Sequence, residues 1–217
     1  KTKVSAALMP DYSACVGFEP DGVGSGFSRK FIQDMLREQQ NYDGVICSDW
    51  GITHDEVGVY ACKGKPWGME TKSVAERHYK VLMAGVDQFG GNNDRGPVLD
   101  AYHIGVEKQG EEWMQQRMRT SARRLLTNIF RTGLFENPYL DPAHTSEVVG
   151  CPEFMQEGYD AQLKSVVMLK NHAGVLPLEG KKKVYIPERY VPSYIDFWGA
   201  RIEEQHITPL SKELVER

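Results

Sequence analysis

Residues 42–53 read YDGVICSDWGIT. The run from Gly44 to Ser48 is too short and too apolar for an amphipathic helix, and it fits a strand buried on both faces. It ends on an acid and an indole, Asp49 and Trp50, where the chain leaves the core. In parallel α/β folds, functional side chains stand at the carboxyl ends of strands, where the loops open to solvent. Upstream, Val4 to Met9 reads as another strand, followed by a Gly-rich connection. FSRKFIQDMLREQQ, residues 27–40, then places Phe27, Phe31 and Met35 with Ile32 and Leu36 on one helical face, with Ser28 or Ser25 as cap. Downstream, Ser73-Val74-Ala75-Glu76 has capping-box spacing and opens a helix to Gly85, and Val86 to Phe89 is a further short strand. This β-α-β-α order predicts an α/β fold with a parallel sheet or barrel.

From Glu111 the pattern becomes one long helix with a stripe of Met114, Met118, Ala122, Leu125, Leu126 and Ile129, closed by Gly133 as C′ residue. ENPYLDPAH, residues 136–144, with two prolines, reads as a linker. A second unit opens with a helical segment from Glu153 to Leu169, a turn at Asn171 to Gly174 and a β-like Val184 to Ile186. No internal repeat or low-complexity tract interrupts the 217 residues.

A formal charge of -4 argues against nucleic acid or an anionic membrane as partner, since such binding leans on clustered Lys and Arg. The one basic run, Lys181 to Lys183, reads as a solvated turn. No apolar run approaches the roughly 18 residues of a membrane span. The four cysteines, at 15, 47, 62 and 151, have neither CxxC nor Cys/His spacing, so neither zinc nor a dense disulfide scaffold is indicated. The opening KTKVSAALMP reads like a strand already inside a fold.

Asp49 supports two readings on local grounds. A carboxylate at a strand end is a nucleophile for a sugar carbon, needing no base to activate it, and Trp50 beside it offers a flat face for the C–H side of a pyranose. The same residue is equally placed to be the N-cap of a following helix. Aspartyl-phosphate chemistry within DxDxT lacks its partner acid, because the second position is Gly51.

The run LREQQNYDGVICSDWG, residues 36–51, resembles the nucleophile segment of glycoside hydrolase family 3, whose β-glucosidase members have a helix followed by FDGVVVSDW. Other pieces fall in the family's order: MPDYSA at 9–14, AGVDQFGG at 84–91, SARRLLTNIFRTGLFENPYLDP at 121–142 and SVVMLKNHAGVLPL at 165–178. The resemblance implies that residues 1–135 are the later part of a catalytic (β/α)8 barrel, 136–152 an interdomain linker and 153–217 the start of an α/β sandwich domain. It further implies that Asp49 is the nucleophile of a retaining exo-acting β-glycosidase, most simply a β-glucosidase, whose chemistry requires no metal or organic cofactor, and that Trp50 lines the entrance of the sugar site. Tyr12 matches the tyrosine near the nucleophile, placed to orient the carboxylate, though a core aromatic with a satisfied hydroxyl fits it equally. Met9 lies at the same strand end, as a substrate contact or as packing. Trp67, after KGKP, reads as a wall of the sugar site or a packing anchor. Asp87 reads as structural support; His54 and Asp55 are candidate rim contacts; Asn92, Asn93 and Asp94 suit either sugar hydroxyls or loop caps.

The sequence departs from the family pattern at two places. A retaining glycosidase needs a second carboxyl about 5 to 5.5 Å from the first, and the family's acid/base belongs to a region of the second domain past Arg217. The family's upstream Asp and Lys-His sugar contacts have no match either. The expectation is a piece of a longer enzyme, ordered only with the remaining barrel strands on the same or a companion chain, acting on a β-glucoside or oligosaccharide; β-xylosides, or a non-catalytic sugar-binding remnant, are the alternatives. Members of this kind are often periplasmic or secreted.

Overall fold

The computed structural model describes residues 5–56, 63–196 and 199–211. The chain divides into two compact units, 1–135 with 195–201, and 136–194 with 202–217.

In the first unit, β1 (Ala7–Leu8) and β2 (Val45–Ile46) run parallel, with Ala7 opposite Val45 and Leu8 opposite Ile46. Cys47 then bridges Gln88 in the parallel sense, so three segments lie side by side in chain order. The two ladders interlock on residues 47 and 48: Cys47 N–H donates to Leu8 O at 3.0 Å and Ser48 N–H to Gln88 O at 2.8 Å. This is the parallel α/β arrangement that the alternation of apolar runs and helices predicts. The regular strands are shorter than the apolar runs, because β1 pairs on one side only among the described residues and the 86–89 segment pairs through Gln88 alone. Val4, part of the first run, lies outside the described residues.

The helix over Lys30–Gln39 is wide, with hydrogen bonds spanning five residues, as in Gln40 N–H to Met35 O at 3.0 Å. Ser28 opens it: its Oγ accepts the Phe31 N–H at 3.1 Å while donating to Glu19. Asn41 in the left-handed region (φ 51°) ends it, and Tyr42 turns back into the core beside Phe27, Ile32, Ile46, Val81 and Val86. Helix α1 (Val74–Ala84) has the full capping box between Ser73 and Glu76 and stops at Gly85 with φ 110°, as its sequence predicts. Helix α2 (Gly96–Gln109) is not foreseen in the sequence pattern; its inward positions are the small Ala101 and Gly105, which carry little periodic signal. Met114 of the next helix fills the space a Cβ on Gly105 would need.

Helix α3 (Glu111–Arg131) is the long helix expected, followed by Gly133 with φ 70°. Its inward face differs from the apolar stripe. Only Met114 and Ser121 are buried, Leu126 is exposed, and Arg117, Ser121 and Arg124 point at the sheet. The reason is Asp87, whose buried carboxylate requires cations and donors opposite it.

In the second unit, the stretch expected as a linker contains helix α4 (Pro142–Val148), with Asp141 Oδ1 accepting the Ala143 N–H at 2.9 Å. Helix α5 (Pro152–Ser165) ends four residues before Leu169. Val184 to Ile186 forms no strand: Pro187 follows directly and has no N–H to give a ladder. The strands of this unit come later, β3 (Arg189–Val191) pairing antiparallel with a strand over Gln205–Ile207. None of the described residues in 136–194 is buried. No helix among the described residues is long and apolar enough to cross a membrane.

Candidate active site

Asp49 stands past β2, after Cys47 and Ser48, half-buried, at the carboxyl end of the parallel strands. Its Oδ1 accepts the Trp50 N–H at 2.6 Å, a short charge-assisted bond that fixes one carboxylate oxygen. The chain then turns through residues 51–53, and the next helix among the described residues begins only at Val74, capped by Ser73. Asp49 is therefore not a helix N-cap.

Trp50 is 54% exposed, and its indole lies along the Gly90–Gly91 backbone. A Cβ on Gly91 would overlap Trp50 Cδ1, and Gly91 has φ 65°. Gly91→Ala is expected to cost about 1–2 kcal/mol from the left-handed backbone alone and to displace the indole. A shift in tryptophan emission relative to a Trp50→Phe control checks this.

The Tyr12 hydroxyl donates to the Trp50 carbonyl at 2.9 Å, one residue past Asp49. Its ring meets Trp67 edge-on at 5.7 Å and lies 5.0 Å under Lys65 Nζ. Trp67, 41% exposed, is anchored by its carbonyl, which accepts the Gly24 N–H at 2.9 Å. Tyr12 thus joins Trp50, Trp67 and Lys65 in one rim. Met9, 54% exposed, stands one residue past β1 and also edges an apolar cavity of about 350 Å³ with Leu8, Phe31 and Leu36. Lys65 and the Gly90–Gly91 pair are the members of this rim that sequence reading passes over. The signal for the glycine pair is its place after a strand, at the end of AGVDQFGG, where adjacent glycines mark close backbone approach.

The polar residues near the rim divide into structural pairs. Asp55 Oδ1 bonds the buried Arg77 Nη1 at 2.8 Å, and Arg77 also donates to Thr53 O, Met69 O and Glu70 O, clamping the loops on either side. Asp94 Oδ1 accepts the Gly96 N–H, and Asn92 Oδ1 accepts the Asp94 N–H, both at 2.9 Å; these are loop caps. Asn92 Nδ2 lies 2.7 Å from His78 Nε2, which is also 3.3 Å from Thr53 Oγ1, while Nδ1 faces Val74 O at 2.8 Å. With Nδ1 protonated and Nε2 accepting, the ring is satisfied as neutral imidazole. His54 is half-buried, and Asn93 is exposed.

Burial holds His78 below its ordinary titration range, with its bond to Val74 opposing and the charges of His54, Asp94 and Arg77 adding smaller effects. The unfolded state takes up a proton near pH 6.5 that the folded state refuses, so this group's stabilisation is complete above about pH 6.5 and falls as pH drops toward the folded value. Melting temperatures between about pH 7.5 and 5.5 are expected to fall more steeply for the native protein than for His78→Asn.

Asp87 anchors the network behind the strand end. Its Oδ2 accepts from Arg37 Nη2 at 2.6 Å and from Ile46 N–H at 3.1 Å; its Oδ1 accepts from Ser121 Oγ at 2.6 Å and Arg124 Nη1 at 3.1 Å. Arg117 Nη1 lies 3.8 Å away. Burial lowers the pKa of Arg37 and Arg117, and the Asp87 charge offsets it. Asp87 is buried in protein contacts, in agreement with a supporting role. Among the described residues no group of three or more His, Cys, Asp or Glu is placed to hold a metal ion; Cys62 lies outside them.

Comparison with known proteins gives the same neighbourhood by sequence and by structure. The chain is 36% identical over 197 residues to a periplasmic β-glucosidase/β-xylosidase of Dickeya chrysanthemi, covering 84% of this chain and 29% of that protein. It is 33% identical over 196 residues to a probable β-glucosidase C of Aspergillus flavus, covering 88% and 30%. Among solved structures, a β-glucosidase from Erythrobacter marinus matches with TM-score 0.56 and 27% identity over 73% of this chain and 19% of that one. A β-glucosidase of intestinal bacteria matches in fold with TM-score 0.57 and 22% identity, over 78% of this chain and 20% of that one. The chain therefore spans about three-tenths of the length of these sequence relatives, 29% and 30%. No family model matches it.

Proposed function

We infer, from a chain that belongs to glycoside hydrolase family 3, that Asp49 is the nucleophile of a retaining exo-acting β-glycosidase whose preferred substrate is a terminal β-glucosyl residue on a glucoside or oligosaccharide. The observation that carries this is the state of the Asp49 carboxylate. One oxygen is held by the Trp50 N–H, no side chain among the described residues bonds the other, and two exposed indoles stand at the same rim.

In the reaction, the free Oδ2 attacks the anomeric carbon as the bond to the leaving oxygen breaks, and a proton reaches that oxygen from a second carboxyl. Water then attacks the glycosyl-enzyme and returns the Asp49 carboxylate, with the anomeric configuration retained. The second carboxyl comes from the rest of the enzyme, so the partner of this site is protein as well as sugar. Trp50 supplies the stacking face, and Tyr12 holds the Trp50 carbonyl. Residues 1–135 read on this account as later barrel strands, 136–152 as linker and 153–217 as the opening of an α/β sandwich. Activity on β-xylosides is the second reading, favoured by the double name of the Dickeya relative; one hydroxymethyl group shifts selectivity by only about 1–3 kcal/mol.

Following hydrolysis of 4-nitrophenyl β-glucoside and β-xyloside by proton NMR tests the reading. β-Glucose as the first product, with glucoside preferred, is the expected result. α-Glucose as the first product would overturn the retaining mechanism, and a preference for xyloside would reassign the sugar.

A further inference from the structure

The nucleophile must keep its carboxylate in register with a sugar seated on Trp50, and the two residues are adjacent in a turn. A turn of this kind needs an outside anchor to be rigid. The residue before them supplies one. Ser48 is 1% exposed, and its Oγ accepts the Gly90 N–H at 2.9 Å while donating to the Asp49 carbonyl at 3.1 Å. Its own N–H donates to Gln88 O at 2.8 Å, and Gly51 N–H reaches Gly90 O at 3.4 Å. Gly90 and Gly91 are the backbone on which the Trp50 indole rests. One buried hydroxyl therefore touches the main chain of the nucleophile and the main chain beneath the sugar platform.

We propose that Ser48 is a positioning residue for the reaction, locking the Asp49 backbone to the Gly90–Gly91 turn so that carboxylate and indole face the same sugar. This rests on the reading of Asp49 as nucleophile. The hydroxyl never meets substrate; it acts through Asp49 and Gly90. Removing it leaves the Gly90 N–H without its partner in a buried place and frees the Asp49 peptide to rotate. The consequence falls on the attack step, where a small misplacement is amplified, more than on sugar binding.

The test uses the intact enzyme and 2-deoxy-2-fluoro-β-glucosyl fluoride, separating the limiting inactivation rate constant from the inhibitor's dissociation constant. In native enzyme the adduct on Asp49 is located first by peptide mass spectrometry. Ser48→Ala is expected to slow the limiting rate constant by about tenfold or more, leave the dissociation constant nearly unchanged and keep the melting transition. Ser48→Thr, which restores the hydroxyl, is expected to recover most of the rate. If Ser48→Ala has no melting transition, Ser48→Cys, with nearly the same volume and a weaker hydrogen-bonding atom, is judged by the same criteria. A replacement that inactivates at the native rate, or one that weakens binding alone, overturns the positioning role while the Asp49 reading stands. A native adduct on another residue overturns both.

Discussion

Asp49→Gly in the intact enzyme is expected to lower kcat on an aryl β-glucoside by about ten-thousandfold or more, with the melting temperature close to native. The carboxylate is half-buried and, among the described residues, accepts a hydrogen bond from the adjacent N–H, so its removal disturbs little packing. Azide added to this variant is expected to restore turnover on a substrate with a good leaving group and to yield the α-glucosyl azide, since the small anion enters the space the carboxylate leaves and attacks from the same face. A fall of the same size in thermal stability, without azide rescue, would make Asp49 a structural acid. Kinetics, melting and product NMR on one preparation separate the two.

The second large effect falls on stability. Asp87→Ala removes the acceptor shared by Arg37, Arg124, Ser121 and the Ile46 N–H, and leaves buried cations facing one another. Breaking a buried charge pair from one side costs about 3–5 kcal/mol, a large part of the stability of an ordinary domain. Asp87→Asn loses the charge and keeps one acceptor oxygen, enough for either the Ile46 N–H or the Ser121 hydroxyl but not for both, so it is expected to fall between native and Ala in thermal unfolding. If both variants melt like the native protein, the network contributes nothing to the fold. Activity is expected to decline with folding here, because Asp87 reaches Asp49 only through the strand it holds.

The parts of this architecture that were legible in sequence are those with a local cause. Ser73 and Glu76 cap a helix through their own backbone, and Gly85 ends it because the left-handed turn favours glycine. The apolar run Gly44 to Ser48 declares a buried strand, and Asp49 declares its mouth. The inner face of α3 was not legible in the same way. A period of apolar residues suggested a Leu/Met stripe, but the helix turns Arg117, Ser121 and Arg124 toward a buried acid that lies more than twenty residues away in sequence. The resemblance puts Tyr12 near Asp49, and the Trp50 carbonyl to which its hydroxyl donates is a backbone atom that no motif encodes. Ser48 and the Gly90–Gly91 pair escaped for the same reason: they act on main chain across segments some forty residues apart, and only the parallel register brings them together.

The most direct measurement is the location of the covalent intermediate. Incubating the intact enzyme with 2-deoxy-2-fluoro-β-glucosyl fluoride and sequencing the labelled peptide by mass spectrometry should place one fluoroglucosyl group on the peptide containing YDGVICSDW, at Asp49. A sugar on any other acid, or full retention of activity with no label while a control glucosidase is inactivated, would contradict the account.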